Sequence, residues 1–414
     1  MRLQNSVAES AYEREIPRRH PDRPLNIGGA GGIAKALRIK PPDAREWELL
    51  GRDLLVGDPL ADGLVDWMIT TGTKQTRPLV DQACAHGIAS VPDAPEPLRR
   101  FFDAVEADPP WLDRERLRRA PDAFALAGVD GLYIARDVAF LGGYRAAGFN
   151  KTLIRTGALE KGSAQRFAET TQWAQRVTRP GGMEKFGDGY RATLEVRIIH
   201  SFVRRHLLAQ DDWDTGEWGL PINQTDMAAT MVGAILTPFI AGLALGLLPS
   251  RRELEDVTHV ARYTGWLMGV EERWLPTSYR DAVRILTHTL MAILVPDETT
   301  RILAQPMGND PLGWHFRGPF KAVRRRVARS QHLSITSAVL GPRAMASLGL
   351  PMTPPWYPLV KAPFNLVAGR VVRIVPPLRR WYVDRSRAKV GDFVELLSGS
   401  TESQLGNSAG HIAR

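Results

Sequence analysis

From residue 41 almost to the C-terminus, apolar residues recur at i, i+3, i+4 and i+7. Alternating runs of the kind a half-buried strand needs are almost absent. A chain patterned this way hides its apolar stripes by packing helix on helix. Segments 44–71, 97–107, 112–125, 130–148 and 160–177 read so, followed by 194–210, 225–248, 251–270 and 279–295. The pattern resumes over 316–330, 335–348 and 376–397. Gly and Pro gather between segments, at Pro180-Gly181-Gly182, Pro249-Ser250, Pro306-Met307-Gly308 and 351–355, as helix stops do. The spacing predicts an all-α protein. It divides into a flexible arm over 1–40, one helical domain over 41–370, and a basic helix and tail over 371–414.

Other features narrow the chemistry. Cys84 is the single cysteine, which excludes an internal disulfide framework, cysteine-based zinc sites and iron–sulfur clusters. A metal here comes through His, Asp, Glu or a porphyrin. The first 26 residues are polar and charged, with no apolar core of a signal peptide, so the chain is expected in the cytoplasm. Gly28–Gly32 lacks the Gly-Lys-Ser/Thr ending of a phosphate loop and reads as a linker. The net charge of +9 permits an anionic partner without requiring one, and no nucleic-acid recognition module is present. The chain is expected to be a monomer.

Two stretches bear on membranes. Residues 227–250 hold no charge and are long enough to span a bilayer, but they contain Thr230, Thr237, Pro238 and several Gly. They read as a buried core helix broken near Pro238. Residues 356–387 mix aromatic and aliphatic side chains with seven Arg or Lys. Such a segment either packs on the core with a basic outer face or makes a peripheral contact with an anionic membrane.

The nine histidines form no HExxH motif and no i, i+4 pair on one helix. His200 stands in an apolar neighbourhood, with Arg197 at i−3 and Arg204 at i+4 on one helical face. It reads as a core histidine bonded to a carbonyl, or as the axial ligand of a haem whose propionates those arginines meet. A second face carries Arg166, Glu169, Thr170 and Trp173 at i, i+3, i+4 and i+7. That face is either a solvated Arg–Glu pair or a polar wall able to bind dioxygen or seat a general base. Thr225 and Asp226 are candidate N-caps for the uncharged helix.

Several segments recur together: Gly57-Asp58-Pro59-Leu60-Ala61-Asp62, Arg166-x-x-Glu169-Thr170, Arg179-Pro-Gly-Gly182 and Arg197-x-x-His200-x-x-x-Arg204. Pro221-Ile-Asn-Gln-Thr-Asp226, Gly269-Val-Glu-Glu and Leu275-Pro-Thr-Ser complete the set. In this combination, over about residues 45–300, the chain resembles the latex clearing protein group of the MpaB-type oxygenases (the DUF2236 domain). The resemblance implies a globin-like helical core with added N- and C-terminal helices, one haem b with its iron on His200, and dioxygen as co-substrate. It implies a hydrophobic or polyisoprenoid substrate, oxidative cleavage of its double bonds, and Arg166 and Thr170 beside the haem. The chain departs from that pattern twice. Glu169 stands where rubber-cleaving members carry lysine, and Asn150 falls where their catalytic glutamate is expected. Glu169 is therefore assigned the acid–base role, beside Arg166 and Thr170.

Overall fold

The computed structural model describes residues 15–157 and 162–398, and among these no strand is formed. Ten helices carry the frame: α1 (Pro59–Thr71), α2 (Arg114–Ile134), α3 (Ser163–Thr178), α4 (Asp188–Leu208) and α5 (Gln224–Ile240), then α6 (Arg251–Leu267), α7 (Tyr279–Ile293), α8 (Lys321–Leu340), α9 (Trp356–Ile374) and α10 (Pro376–Ser398). The all-α expectation holds. The expected break between 330 and 335 does not exist: α8 runs through it, and Ser334 and Thr336 turn their hydroxyls onto the helix's own carbonyls.

The uncharged stretch becomes α5, the central helix, buried along nearly all its length against α2, α6 and α7. Polar residues start it: the Asn223 side chain accepts from the backbone N–H of Asp226, so the cap is Asn223 rather than Thr225 or Asp226. The helix ends at Ile240, just after Pro238. α6 opens with a full capping box, Ser250 and Glu253 each bonding the other's backbone N–H.

Both expected chain boundaries are corrected by long-range contacts. Residues 15–40 are not a free arm. Arg19 forks onto Asp226 at 3.2 and 2.6 Å, Arg18 bonds Asp214 and Glu217, His20 packs on Trp47, and Ile27 is buried. The Gly28–Gly32 linker is folded as well, into a short 3₁₀ turn and the start of a helix. Residues 1–14, the rest of the expected arm, lie outside the described part of the chain. At the other end, α10 is no appendage. It lies along α2 and α3, and its Phe393 and Leu397 complete an apolar cluster with Tyr144, Phe167 and Trp314. No division appears at 370, and the tail over 399–414 lies outside the described residues.

α2 bends at Gly128 (φ 57°, ψ −153°) and passes into a π-helical segment, Ala135–Phe140. Such segments widen a helix by one residue per turn and are frequent near functional sites. This one buries Arg136 and Asp137 completely. Arg136 pairs with Asp137 and Asp310, and His332 Nδ1 lies 2.6 Å from Asp137 Oδ2.

His259 on α6 ties the start of α2 in place, its Nε2 accepting from the Asp113 backbone N–H at 2.9 Å. Burial, helped by Arg116, pushes its pKa down to about 4. Below pH 6.5 the unfolded chain takes up a proton that the folded chain refuses, so stability falls as pH drops from about 6.5 to 4. Urea unfolding at pH 7 and pH 5 should show a loss of about 2 kcal/mol from this group. His259→Gln, which keeps an acceptor but cannot titrate, should shrink that difference.

Candidate functional site

α3 and α4 form a hairpin, and its turn is set by sequence. α3 stops at Arg179-Pro180, and Gly182 then passes so close to the Arg176 carbonyl that a Cβ would sit 1.9 Å from it. Only glycine fits there. Arg179 and Asp188 pair across the turn. Higher up, the Trp173 indole N–H donates to Thr193 Oγ1 at 3.3 Å and fixes the register. Trp173 is therefore a buried pin between the helices, not a member of the polar wall. Seven residues beyond that bond, about 10 Å along each axis, stand Arg166 on α3 and His200 on α4. The hairpin thus brings the two sequence-predicted segments to one level.

His200 is desolvated strongly enough that its pKa is pushed down to about 4, mainly by burial and further by Arg204. The ring is therefore neutral at physiological pH. Its Nδ1 is buried and makes no hydrogen bond, so the reading of a core histidine tied to a carbonyl does not hold. Yet the residue as a whole keeps some accessible surface, as do Val196 and Ile199 beside it. The ring is therefore deep but not fully sealed by its neighbours.

On α3, Arg166, Glu169 and Thr170 are likewise only partly covered. Gln165 Nε2 donates to Glu169 at 3.4 Å, and Thr170 gives its hydroxyl proton to the Arg166 carbonyl at 3.1 Å. Arg166 and Glu169 do not pair with each other, and Arg166 has no carboxylate partner among the described residues. A second arginine, not singled out from sequence, shares this condition. Arg145 also lacks a carboxylate partner among the described residues, its Nε is buried without a bond, and burial alone pushes its pKa down. The Arg166 charge acts on Tyr144, the residue that precedes Arg145 in the chain. The signal was present as a lone cation in an otherwise apolar run, residues 138–149. Asn150 is fully buried, donating to the Tyr144 carbonyl (2.7 Å) and Thr299 Oγ1 (3.1 Å), with its own Oδ1 unpartnered.

The arginines flanking His200 do something other than wait for propionates. Arg197 forks onto Asp58 at 2.7 and 2.9 Å and donates to the Leu267 carbonyl. Arg204 pairs with Asp62, which also accepts from Ser201, and donates to the carbonyls of Pro221 and Ile222. Gln224 donates to the carbonyls of Gly57 and Gly269 and accepts from the Glu271 N–H. Gly269 (φ 84°) closes the knot, since a Cβ there would lie 2.4 Å from Asp58 Oδ2. Four of the recurring motifs therefore meet in one buried polar cluster that fixes α4, and with it His200. The cations expected to face a cofactor are neutralised there.

The structure is thus an all-helical domain in which α4 carries a neutral histidine whose Nδ1 has no partner, at the level of the polar residues of α3. Residues 132–374, more than half the chain, match the family described as ER-bound oxygenase mpaB/B'/rubber oxygenase, catalytic domain, and the protein belongs to that family. Among solved structures, the fold is similar to that of latex clearing protein in its closed state. The TM-score is 0.59 at 18% identity, over 82% of this chain and 90% of that one. No curated protein matches the chain.

Removing one partner of the Arg197–Asp58 pair leaves the other charge buried alone. Arg197→Ala should cost about 3–5 kcal/mol in denaturant unfolding, and Asp58→Ala a similar amount. The double variant should recover part of this, because no stranded charge remains.

Proposed function

We propose that the protein is a haem b-dependent oxygenase that cleaves a double bond of a hydrophobic, isoprenoid-type substrate with dioxygen. The observation that carries this reading is His200, a neutral imidazole with an unpartnered Nδ1, partly exposed beside the apolar side chains of Val196 and Ile199. Neutral imidazole is the form that ligates a metal. Among the described residues, no three of His, Cys, Asp or Glu gather as a metal site. An iron at His200 must therefore bring its remaining donors with it, as a porphyrin does. A bound haem would supply the dioxygen-binding and redox chemistry.

The chain's own residues have the following parts. His200 would hold the iron, and the polar knot around Arg197 and Arg204 fixes the helix that carries it. Arg145, without a carboxylate partner among the described residues, is the cation suited to the carboxylates of the group, in place of Arg197 and Arg204. Val196 and Ile199 exclude water from the histidine side. From α3, Arg166 stabilises negative charge developing on oxygen, an effect that grows as water is removed. Glu169 holds or passes a proton at its carboxylate oxygen, and Thr170 keeps its lone pairs free to accept one. In the overall reaction one carbon–carbon double bond is broken. Each carbon receives one oxygen atom, and no external reductant is consumed.

The purified protein should show a Soret band with stoichiometric iron, and His200→Ala should abolish both. A colourless, iron-free protein after haem-supplemented expression overturns the reading. Turnover of isoprenoids under isotopic dioxygen should label both carbonyl products. Glu169→Gln should cut turnover about 10²-fold while leaving the absorbance unchanged. Equal turnover would make Glu169 structural.

A further inference from the structure

Helix α9 is inside out. Its inner side is held by polar bonds: Asn365 donates to Asp130 Oδ2 and to the Leu245 carbonyl, both at 2.9 Å. Tyr357 donates to Asp130 Oδ1 at 2.8 Å, and Lys361 pairs with the same carboxylate. These bonds fix the rotation of the helix about its axis. With that rotation, Leu359, Phe364, Val367 and Ile374 face out, at 70, 64, 67 and 76% exposure. At 3.6 residues per turn, these and their exposed apolar neighbours fill one arc of about 160°. Leu243, in the turn packed beside α9, is exposed with them, and so is Trp381 at the start of α10. A soluble helix presents the opposite pattern, and an apolar face of this extent marks a contact surface.

Charge identifies the partner. Residues 351–390 contain eight Lys or Arg and one acid, Asp384. Arg373, Arg379 and Arg387 are taken up by Glu253 and Asp122. Arg370, Arg380, Arg385 and Lys389 have no carboxylate partner among the described residues, and Arg370 lies within the apolar arc itself. Two copies meeting face to face here would set these cations against each other. An anionic bilayer instead meets apolar side chains with its acyl region and arginines with its phosphates, while an interfacial Trp sits at the headgroup level.

We propose that the outward face of α9 with the start of α10 docks the protein on an anionic membrane surface, without spanning it. The proposal is independent of the cofactor, and its test reads lipid binding alone. The full-length protein should sediment with phosphatidylglycerol-containing vesicles, should not sediment with pure phosphatidylcholine, and should release as salt rises. Val367→Glu/Ile374→Glu changes only exposed positions, and its thermal unfolding should match wild type. It should weaken vesicle binding about tenfold or more, and so should Arg370→Glu/Arg380→Glu. Failure of the wild type to sediment with anionic vesicles overturns the proposal. Binding that survives Val367→Glu/Ile374→Glu overturns it too. A wild-type dimer in light scattering that this variant splits, without any vesicle binding, would assign the face to a second copy.

Discussion

The bidentate contact between Arg197 and Asp58 is the constraint around which the rest is arranged. Asp58 caps α1, Arg197 is one turn from His200 on α4, and the same guanidinium reaches the end of α6. One buried ion pair thus sets the relative position of three helices. Its desolvation cost is offset because the guanidinium nitrogens of Arg197 and Arg204 are all bonded, to Asp58, Asp62 and the carbonyls of residues 221, 222 and 267, while Gln224 bonds the carbonyls of residues 57 and 269. Pairs of this kind add little net stability compared with apolar packing. They do make wrong arrangements expensive, because a small shift of α4 would strand a charge. For a helix that must hold one imidazole at a defined height, that specificity matters more than stability.

The helical class was legible because a 3.6-residue period survives averaging over long segments. His200 was legible because a histidine in an apolar run between two arginines is unusual. What the arginines do was not. Spacing on one helix says that Arg197 and Arg204 share a face, but their carboxylates come from α1, 139 and 142 positions away. The same blindness covers residues 15–40, whose anchors are Asp214, Glu217 and Asp226. It covers the expected Arg166–Glu169 pair as well, where helical spacing permitted a contact that the side chains do not make. Arg145 stands out locally as the lone charge of residues 138–149, but sequence alone does not say that no carboxylate from another helix reaches it. The helix Glu298–Asn309 was missed for the opposite reason, since Pro306 inside its last turn reads as a stop while its start depends on a capping box at Asp297.

The two faces of the molecule follow different physical rules. Around α4, charges are buried and matched one for one. On α9, polar groups are turned inward and hydrocarbon outward, with cations at the margin. Neither arrangement is a by-product of the other: Asp130, which orients α9, takes no part in the knot around Arg197.

The location of α10 has a consequence for how the chain comes to be folded. Its Arg387 reaches Asp122 on α2, 265 positions earlier, and its apolar side covers both α2 and α3. During synthesis, α2, α3 and α4 emerge long before the helix that seals them. The main cluster, drawn from residues 27–294, can form without α10, but the smaller one around Tyr144, Phe167 and Trp314 cannot close until α10 has left the ribosome. Until then, α3 lacks the cover that α10 gives it. The order of translation thus leaves an interval in which the apolar side of α3 is open to the surroundings. That interval ends with the arrival of Phe393 and Leu397.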